Sequence, residues 1–187
     1  MMKNYSLFYS YKNLGDILIV IFDNEKKPTR HERKGKVEII YHEDEIIGYN
    51  VFDISEVIKI KTQGKIFLPS PILIKVINTI LKNSGVEELD EIKESGYVIG
   101  KVIKENDNDI QVDIHQEIIS VKKEDNIKIN DYIVIAKKGT MLNSGQIVKE
   151  DGHICNEKEL QISDSDKPLV FKEEAAVGMD FFMEEKK

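Results

Sequence analysis

Residues 97–122, YVIGKVIKENDNDIQVDIHQEIISVK, decide how the second half of this chain folds. Apolar, largely β-branched residues dominate 97–104, 110–114 and 117–122, and they alternate with polar residues over 110–114, a pattern typical of strands. Polar turn residues separate these segments: Asn106-Asp107-Asn108 after the first, and His115-Gln116 after the second. The stretch therefore predicts three consecutive short strands joined by tight turns.

Two further strand patterns extend this run, at residues 132–137 and 146–149. The polar segments 123–130 and 143–145 supply the turns before and after the first of them. Five short strands with a turn at each step predict a small closed barrel, and the OB fold is the expected barrel of that size. We therefore predict an all-β, OB-fold-like, five-stranded barrel over residues 96–187.

The first half of the chain has the pattern of several short strands followed by one helix. Strand patterns cover 5–9, 16–22, 36–41 and 45–52. The helix is predicted over 71–83, because Ser70 can cap its free amides and Pro71 suits the first helical position. Gly85 then suits a left-handed C-terminal cap. The prediction is a small mixed α+β domain over residues 1–86, whose helix packs on the sheet rather than on a partner.

An acidic linker is predicted at residues 87–95, and it separates two charge regimes. The 187-residue chain has a formal net charge of -7. Residues 1–93 carry 14 basic and 14 acidic side chains, whereas residues 94–187 carry 13 and 20. The whole excess of negative charge thus lies in the second half. A nucleic acid would have to be held there by a local basic patch, against the overall field.

Composition excludes several classes of protein. The longest apolar run, 17–22, is far shorter than the roughly 20 residues that a membrane-spanning helix needs. A single cysteine, Cys155, excludes an internal disulfide framework and a cysteine-based zinc site. We therefore expect a cytoplasmic protein without metal or other cofactor, and without membrane contact.

No constellation of residues typical of catalysis stands out. The four histidines are scattered and lack the short spacing of metal ligands. The chain contains neither a phosphate-binding glycine loop ending in Lys-Ser/Thr nor a Gly-x-Ser-x-Gly nucleophile motif. A non-enzymatic protein is the prediction.

Lysines at predicted strand ends and polar loop residues are the candidate RNA-binding groups. Lysines neutralise phosphates, while amides and hydroxyls can bond sugars or bases. The same lysine pairs would also keep strand edges soluble, an interpretation that the nearby glutamates favour. The candidate residues are Lys101, Lys122, Lys123, Lys137, Lys138, Asn143, Ser144 and Asn156.

Several segments resemble the YtpR-like tRNA-binding proteins, which join an N-terminal α+β domain to an OB-fold tRNA-binding domain. In the first half, IGYNVF at 47–52 resembles the family's GFNIF signature, and LGDIL at 14–18 resembles its Gly-Asp turn. In the second half, GHICNEKEL at 152–160 is similar to the family's closing GMICSAKELG motif. The other resembling segments are YVIGKV at 97–102, IAKKGTM at 135–141, NSG at 143–145 and VGMDFF at 177–182.

This resemblance implies a structure-specific tRNA-binding protein, as a monomer or a homodimer. The chain departs from the family in its loops: ENDND at 105–109 stands in place of a His-Pro-Asp-Ala-Asp-Lys-Leu segment, and KKEDN at 122–126 in place of a Cys-Gly-Ala-Pro-Asn turn. OB folds commonly hold ligands in such loops. The alternative hypothesis is therefore a degenerate barrel that acts as a protein-interaction or dimerisation module without RNA affinity.

Overall fold

A computed structural model describes residues 4–183, which divide into two compact units with their boundary between Lys93 and Glu94. The chain is mostly β, with one sheet in each unit and few helices. Among the described residues, no helix is long and apolar enough to cross a membrane.

The first unit is a six-stranded antiparallel sheet covered on one face by a helix. In chain order the elements are β1 (Ser6–Tyr9), α1 (Tyr11–Leu14), β2 (Ile17–Ile21), β3 (Arg30–Lys34), β4 (Val37–His42), β5 (Glu45–Phe52), a 3₁₀ turn (Ile54–Glu56), β6 (Gly64–Ile66) and α2 (Pro71–Asn83). The order across the sheet is β3-β4-β5-β2-β1-β6.

Alternation in the strands explains where the core of this unit lies. Every second residue of the inner strands points to α2, so that Leu18, Val20 and Val51 are fully buried. Helix α2 contributes Ile77 and Leu81 to the same core. Burial of these apolar surfaces is the main force that holds the helix on the sheet.

Helix α2 spans the residues that the sequence predicts, 71–83, for the predicted reasons. The Ser70 hydroxyl accepts a hydrogen bond from the Leu73 N–H, and Pro71 occupies the first helical turn. Gly85 follows the helix with φ +66°, a left-handed conformation that glycine adopts without a Cβ penalty.

Strand β3 is absent from the sequence prediction, which assigned residues 30–34 to no element. Its sequence, Arg-His-Glu-Arg-Lys, contains no apolar residue and therefore no alternation to recognise. It forms a strand because it is the sheet edge, paired with β4 on one side only. An edge strand needs few buried side chains, and charges on it prevent pairing with other chains.

The second unit is a barrel-like sheet of five main strands that is nearly closed. They are β7 (Tyr97–Glu105), β8 (Asp109–Asp113), β9 (Ile118–Lys122), β10 (Tyr132–Lys137) and β11 (Gly152–Ile154), in the order β11-β10-β7-β8-β9. A two-residue strand, β12 (Val170–Phe171), adds to β10. A Cβ at Gly152 would lie 2.7 Å from Ile119 and 3.2 Å from Val121 of β9. The missing side chain thus lets β11 approach β9 where the barrel closes.

The fifth barrel strand lies later in the chain than the sequence predicts. The prediction of a strand at 146–149 is wrong: Ile147 makes only an isolated bridge to Met141, and Val148 exchanges backbone bonds with residues 139 and 140. The segment thus folds back on its own loop, and Gly152–Ile154 takes the place beside β10. Local alternation cannot distinguish a strand that pairs within a loop from one that pairs within a sheet.

The predicted linker, residues 87–95, contains the boundary between the two units at Lys93 and Glu94. Its first part is docked on the first unit: the Asn78 amide donates to the Leu89 carbonyl at 2.8 Å, and its oxygen accepts from the Leu89 N–H at 2.7 Å. The Leu89 side chain is buried in the core of that unit.

The C-terminal segment is tied along β7 in the second unit. The Asp180 carboxylate accepts from the N–H and the hydroxyl of Ser95, at 2.6 and 2.7 Å. The backbone of Gly178 and Met179 bonds that of Ile99. The outer side of the barrel around Tyr97 is therefore covered by the chain's own tail.

Candidate nucleic-acid interface

The eight predicted RNA-binding residues lie at several separate places on the second unit. Lys122 and Lys123 line an open groove of about 670 Å³ between the end of β9 and β11. Lys137 is the last residue of β10 and Lys138 follows it, while Lys101 lies in the middle of β7. Asn143, Ser144 and Asn156 belong to the segments that flank β11.

Two of the five lysines have a carboxylate partner. Lys123 Nζ lies 2.5 Å from Glu105 Oε1, and this hydrogen bond raises the pKa of the lysine. Lys137 Nζ lies 3.3 Å from Glu94 Oε2. Because these pairs are partly exposed, their free energies are small and a stronger anion could displace the carboxylates.

Lys101 and Lys122 lie in ladder positions opposite acidic residues. Lys101 is paired in register with Asp113, and its Nζ lies 5.5 Å from the centroid of the Tyr132 ring. Lys122 is paired in register with Asp109. Each phosphate-binding candidate on this face thus has a carboxylate as its cross-strand neighbour, which lowers the positive potential there. Lys138 is exposed in the loop after β10.

The polar candidates use their side chains for local structure. Asn143 Oδ1 accepts a hydrogen bond from the Gln161 amide at 3.0 Å, and Ser144 Oγ accepts from the Gln146 N–H at 3.3 Å. Asn156 Oδ1 accepts from the Glu159 N–H at 2.8 Å. The Asn156 amide N–H groups and the Ser144 hydroxyl donor are the groups of these two residues that a ligand could use.

Asn156 and Glu159 form a reciprocal pair with the hydrogen-bond pattern of a capping box, ahead of turns at residues 157–161 rather than a helix. The Glu159 carboxylate accepts from the Asn156 N–H at 3.0 Å, while Asn156 caps the Glu159 N–H. Asparagine suits this position because its side-chain oxygen is the acceptor that such a cap requires.

His153 is a groove residue that sequence reasoning did not select. Its Nε2 lies 2.9 Å from Glu159 Oε1, and the hydrogen bond to Glu159 raises the pKa of the imidazole. Burial opposes ionisation of Glu159, but the bonds from His153 and the Asn156 N–H together lower the pKa of that carboxyl. The Asn-x-x-Glu spacing could have indicated the cap, but no sequence signal indicates the histidine contact.

The groove as a whole carries both signs of charge. Its lining combines basic and acidic side chains: Lys122, Lys123, His153 and Lys167 on one hand, and Glu124, Asp125, Glu150 and Asp166 on the other. Burial raises the pKa of Glu124. Among the residues from 4 to 183, no cluster of His, Cys, Asp or Glu has the arrangement needed to hold a metal ion. The groove can therefore offer a ligand hydrogen bonds and the individual charges of its lysine side chains.

Comparison with known proteins identifies one related segment. Residues 24–90, which run from just before β3 to just after α2, match a family model described as a domain of unknown function, DUF4479. A search of curated proteins finds no match. The similarity thus covers most of the first unit and assigns no activity.

Proposed function

We propose that this chain is a non-catalytic, cytoplasmic tRNA-binding protein whose second unit is an OB fold. The strand order β11-β10-β7-β8-β9 carries the proposal. Numbered within the barrel, it reads 5-4-1-2-3, with the fifth strand brought beside the third at Gly152. OB folds bind oligonucleotides on strands 2 and 3 and in the loops between strands 1 and 2 and strands 4 and 5. The motif resemblance supports the same ligand.

The corresponding ligand surface contains half of the eight candidate residues. Lys122 lies on the third strand, and the loop between the fourth and fifth strands carries Lys138, Asn143 and Ser144. Lysines on this surface would neutralise tRNA phosphates, and the amide and hydroxyl groups would bond sugars or unstacked bases. Lys137 would exchange its partner Glu94 for a phosphate.

A tRNA titration of wild type and charge-reversal variants tests this proposal. The variant Lys137→Glu/Lys138→Glu should bind bulk tRNA at least about tenfold more weakly, and the logarithmic salt slope should fall by about two. The control Lys128→Glu/Lys158→Glu makes the same charge change at exposed lysines outside the candidate set. Equal loss in both variants, or a wild type that retains no tRNA at low salt, contradicts the proposal.

One set of observations favours a protein-interaction or dimerisation module instead. The outer face of β8 and β9 carries Asp109 and Asp113 beside Ile118, whose side chain is 60% exposed. In a dimer formed through this face the Ile118 side chain would be buried in the interface, where apolar residues are concentrated. Sedimentation and tRNA titration together separate the two functions: under this second function wild type is a dimer that retains no tRNA at low salt, and Ile118→Lys is a monomer.

A further inference from the structure

The strongest unassigned basic feature of the chain lies on the first unit, at the edge strand β3. Residues 24–36 contain six Lys or Arg side chains against two Glu, in a chain of net charge -7. Arg30 and Arg33, both on β3, are the only arginines in the sequence. Arginine is the residue best suited to recognise phosphate, because its planar guanidinium donates several hydrogen bonds in fixed directions.

Both arginines are held flat against aromatic rings. The guanidinium carbon of Arg30 lies 3.6 Å from the centroid of Tyr41 on β4, and that of Arg33 lies 3.7 Å from the centroid of Phe52 on β5. The contact with the ring restricts where each guanidinium can lie, while both arginine side chains remain exposed. This arrangement reduces the side-chain entropy that binding would otherwise cost.

The two arginines differ in the groups that their guanidinium N–H groups contact within the protein. Arg30 Nη1 lies 3.3 Å from Glu32 Oε2, but that carboxylate is shared with Lys34 and the Tyr41 hydroxyl. Arg33 Nε donates to the Gly35 carbonyl at 2.7 Å. Its cross-strand neighbour Glu38 is engaged by Asn50, at 2.8 Å, and by His31, at 3.6 Å.

The position of the arginines on an edge strand makes them accessible from two sides. β3 pairs only with β4, and odd spacing places Arg30 and Arg33 on opposite faces of the strand, roughly 10 Å apart along it. Arg30 and Arg33 are both exposed. Lysines alone would protect an edge from aggregation; stacked arginines add directional donors and a surface on which a base can stack.

We propose that β3 is a second RNA-contacting surface, which binds phosphates through Arg30 and Arg33 and stacks a base on a guanidinium. This inference rests on the proposed function for its ligand, but on a different unit for its site. The first unit would then contact RNA through its own basic groups, independently of the barrel. The chain's neutral half, rather than its acidic half, would supply the stronger phosphate contacts.

The test is a tRNA titration over a range of salt concentrations with full-length proteins. Arg30→Glu/Arg33→Glu should lose at least about tenfold in affinity and reduce the logarithmic salt slope by about two. Arg30→Lys/Arg33→Lys keeps the charge but loses the planar stack, so its loss should be intermediate. The matched control Lys59→Glu/Lys75→Glu, at exposed lysines of the same unit, should bind like wild type. Thermal unfolding of each variant verifies that the fold is intact, and Arg30→Gln/Arg33→Gln replaces any variant that does not fold.

The outcomes separate this inference from the proposed function. Wild-type binding that Arg30→Glu/Arg33→Glu leaves unchanged overturns the β3 surface alone. Loss in that variant with no loss in Lys137→Glu/Lys138→Glu supports β3 and removes the barrel site. A wild type that binds no tRNA overturns both. If polyglutamate displaces tRNA as well as an equal charge of competitor RNA, β3 is an acidic-protein site and the RNA inference is overturned.

Discussion

At the scale of single residues, Glu159 makes two different side-chain contacts beside β11. Its carboxylate closes the capping box with Asn156 and also bonds His153 in the groove. The capping interaction joins residues three apart in the chain. The contact with His153 uses the same carboxylate and raises the pKa of the imidazole. The local fold and the charge of the groove therefore depend on one side chain.

Replacement of Glu159 by Gln should change stability in a pH-dependent way. The pKa of His153 is raised in the folded protein. Its contribution to the free energy of unfolding is therefore complete below about pH 6.5 and is lost as the pH rises through the folded-state pKa. The lowered pKa of Glu159 means that its contribution is complete above about pH 4.5 and is lost as the pH falls through the folded-state value. The free energy of unfolding of wild type should exceed that of Glu159→Gln by most between about pH 5 and pH 6.5, as measured by urea unfolding.

The exposed Glu173 offers a matched control for this measurement. Glu173→Gln makes the same change of charge without a histidine partner and should leave the pH profile of wild type unchanged. A stability difference between wild type and Glu159→Gln that stays constant from about pH 4 to about pH 9 would contradict the assigned ion pair.

At the scale of elements, Asn78 fastens the acidic segment after α2 to the helix. Its side chain satisfies both backbone groups of Leu89, which is 7% exposed. The segment also places the Asp90 carbonyl as acceptor for the Tyr5 hydroxyl. The charge of this segment predicts a solvated linker, but one buried leucine and one amide are sufficient to dock its first part.

Asn78→Ala should lower the free energy of unfolding by about 1–3 kcal/mol, because both Leu89 backbone groups lose their partner. Asn78→Asp keeps an acceptor for the Leu89 N–H but loses the donor for its carbonyl, and should lie between wild type and the alanine variant. The exposed Lys75→Ala on the same helix should change stability by less than about 0.5 kcal/mol. Amide hydrogen exchange at Leu89 reports the effect directly, and an unchanged exchange rate in Asn78→Ala would exclude the docking role.

At the scale of the whole molecule, each unit has a hydrophobic core formed by its own residues. One core extends from Leu7 to Leu89 and the other from Val98 to Ile154. Cores that share no residue favour independent folding, as expected of separate domains.

Fragments 1–93 and 94–187, produced separately, should each unfold in a cooperative transition in urea. A fragment 94–151 lacks β11, the capping box and the tail that lies along β7, and should therefore fail to fold. The absence of a cooperative transition in both 1–93 and 94–187 would show that the two units depend on each other.

Local patterns were sufficient to predict much of this fold from the sequence. Helix α2 is confirmed because its caps and its apolar spacing lie within about fifteen consecutive residues. Strands β7 to β10 are predicted because each is a short run rich in β-branched and apolar residues, bounded by polar turn residues. Strand β3 is not predicted because an edge strand of charged residues has no such signal. The fifth barrel strand is predicted too early in the chain, because the pattern of residues does not show that Val148 pairs within its own loop.

The sequence by itself determined the mostly β character, the helix with its caps, the barrel-like second half and the lysines at strand ends. Hydrophobic periodicity and capping are properties of neighbouring residues, so they can be recognised before the chain folds. Only the tertiary structure decided which charges meet: Lys137 with Glu94, Lys123 with Glu105, His153 with Glu159, and the two arginines with their aromatic rings. Those contacts depend on strand register and barrel closure, and they determine which cations remain available to a ligand.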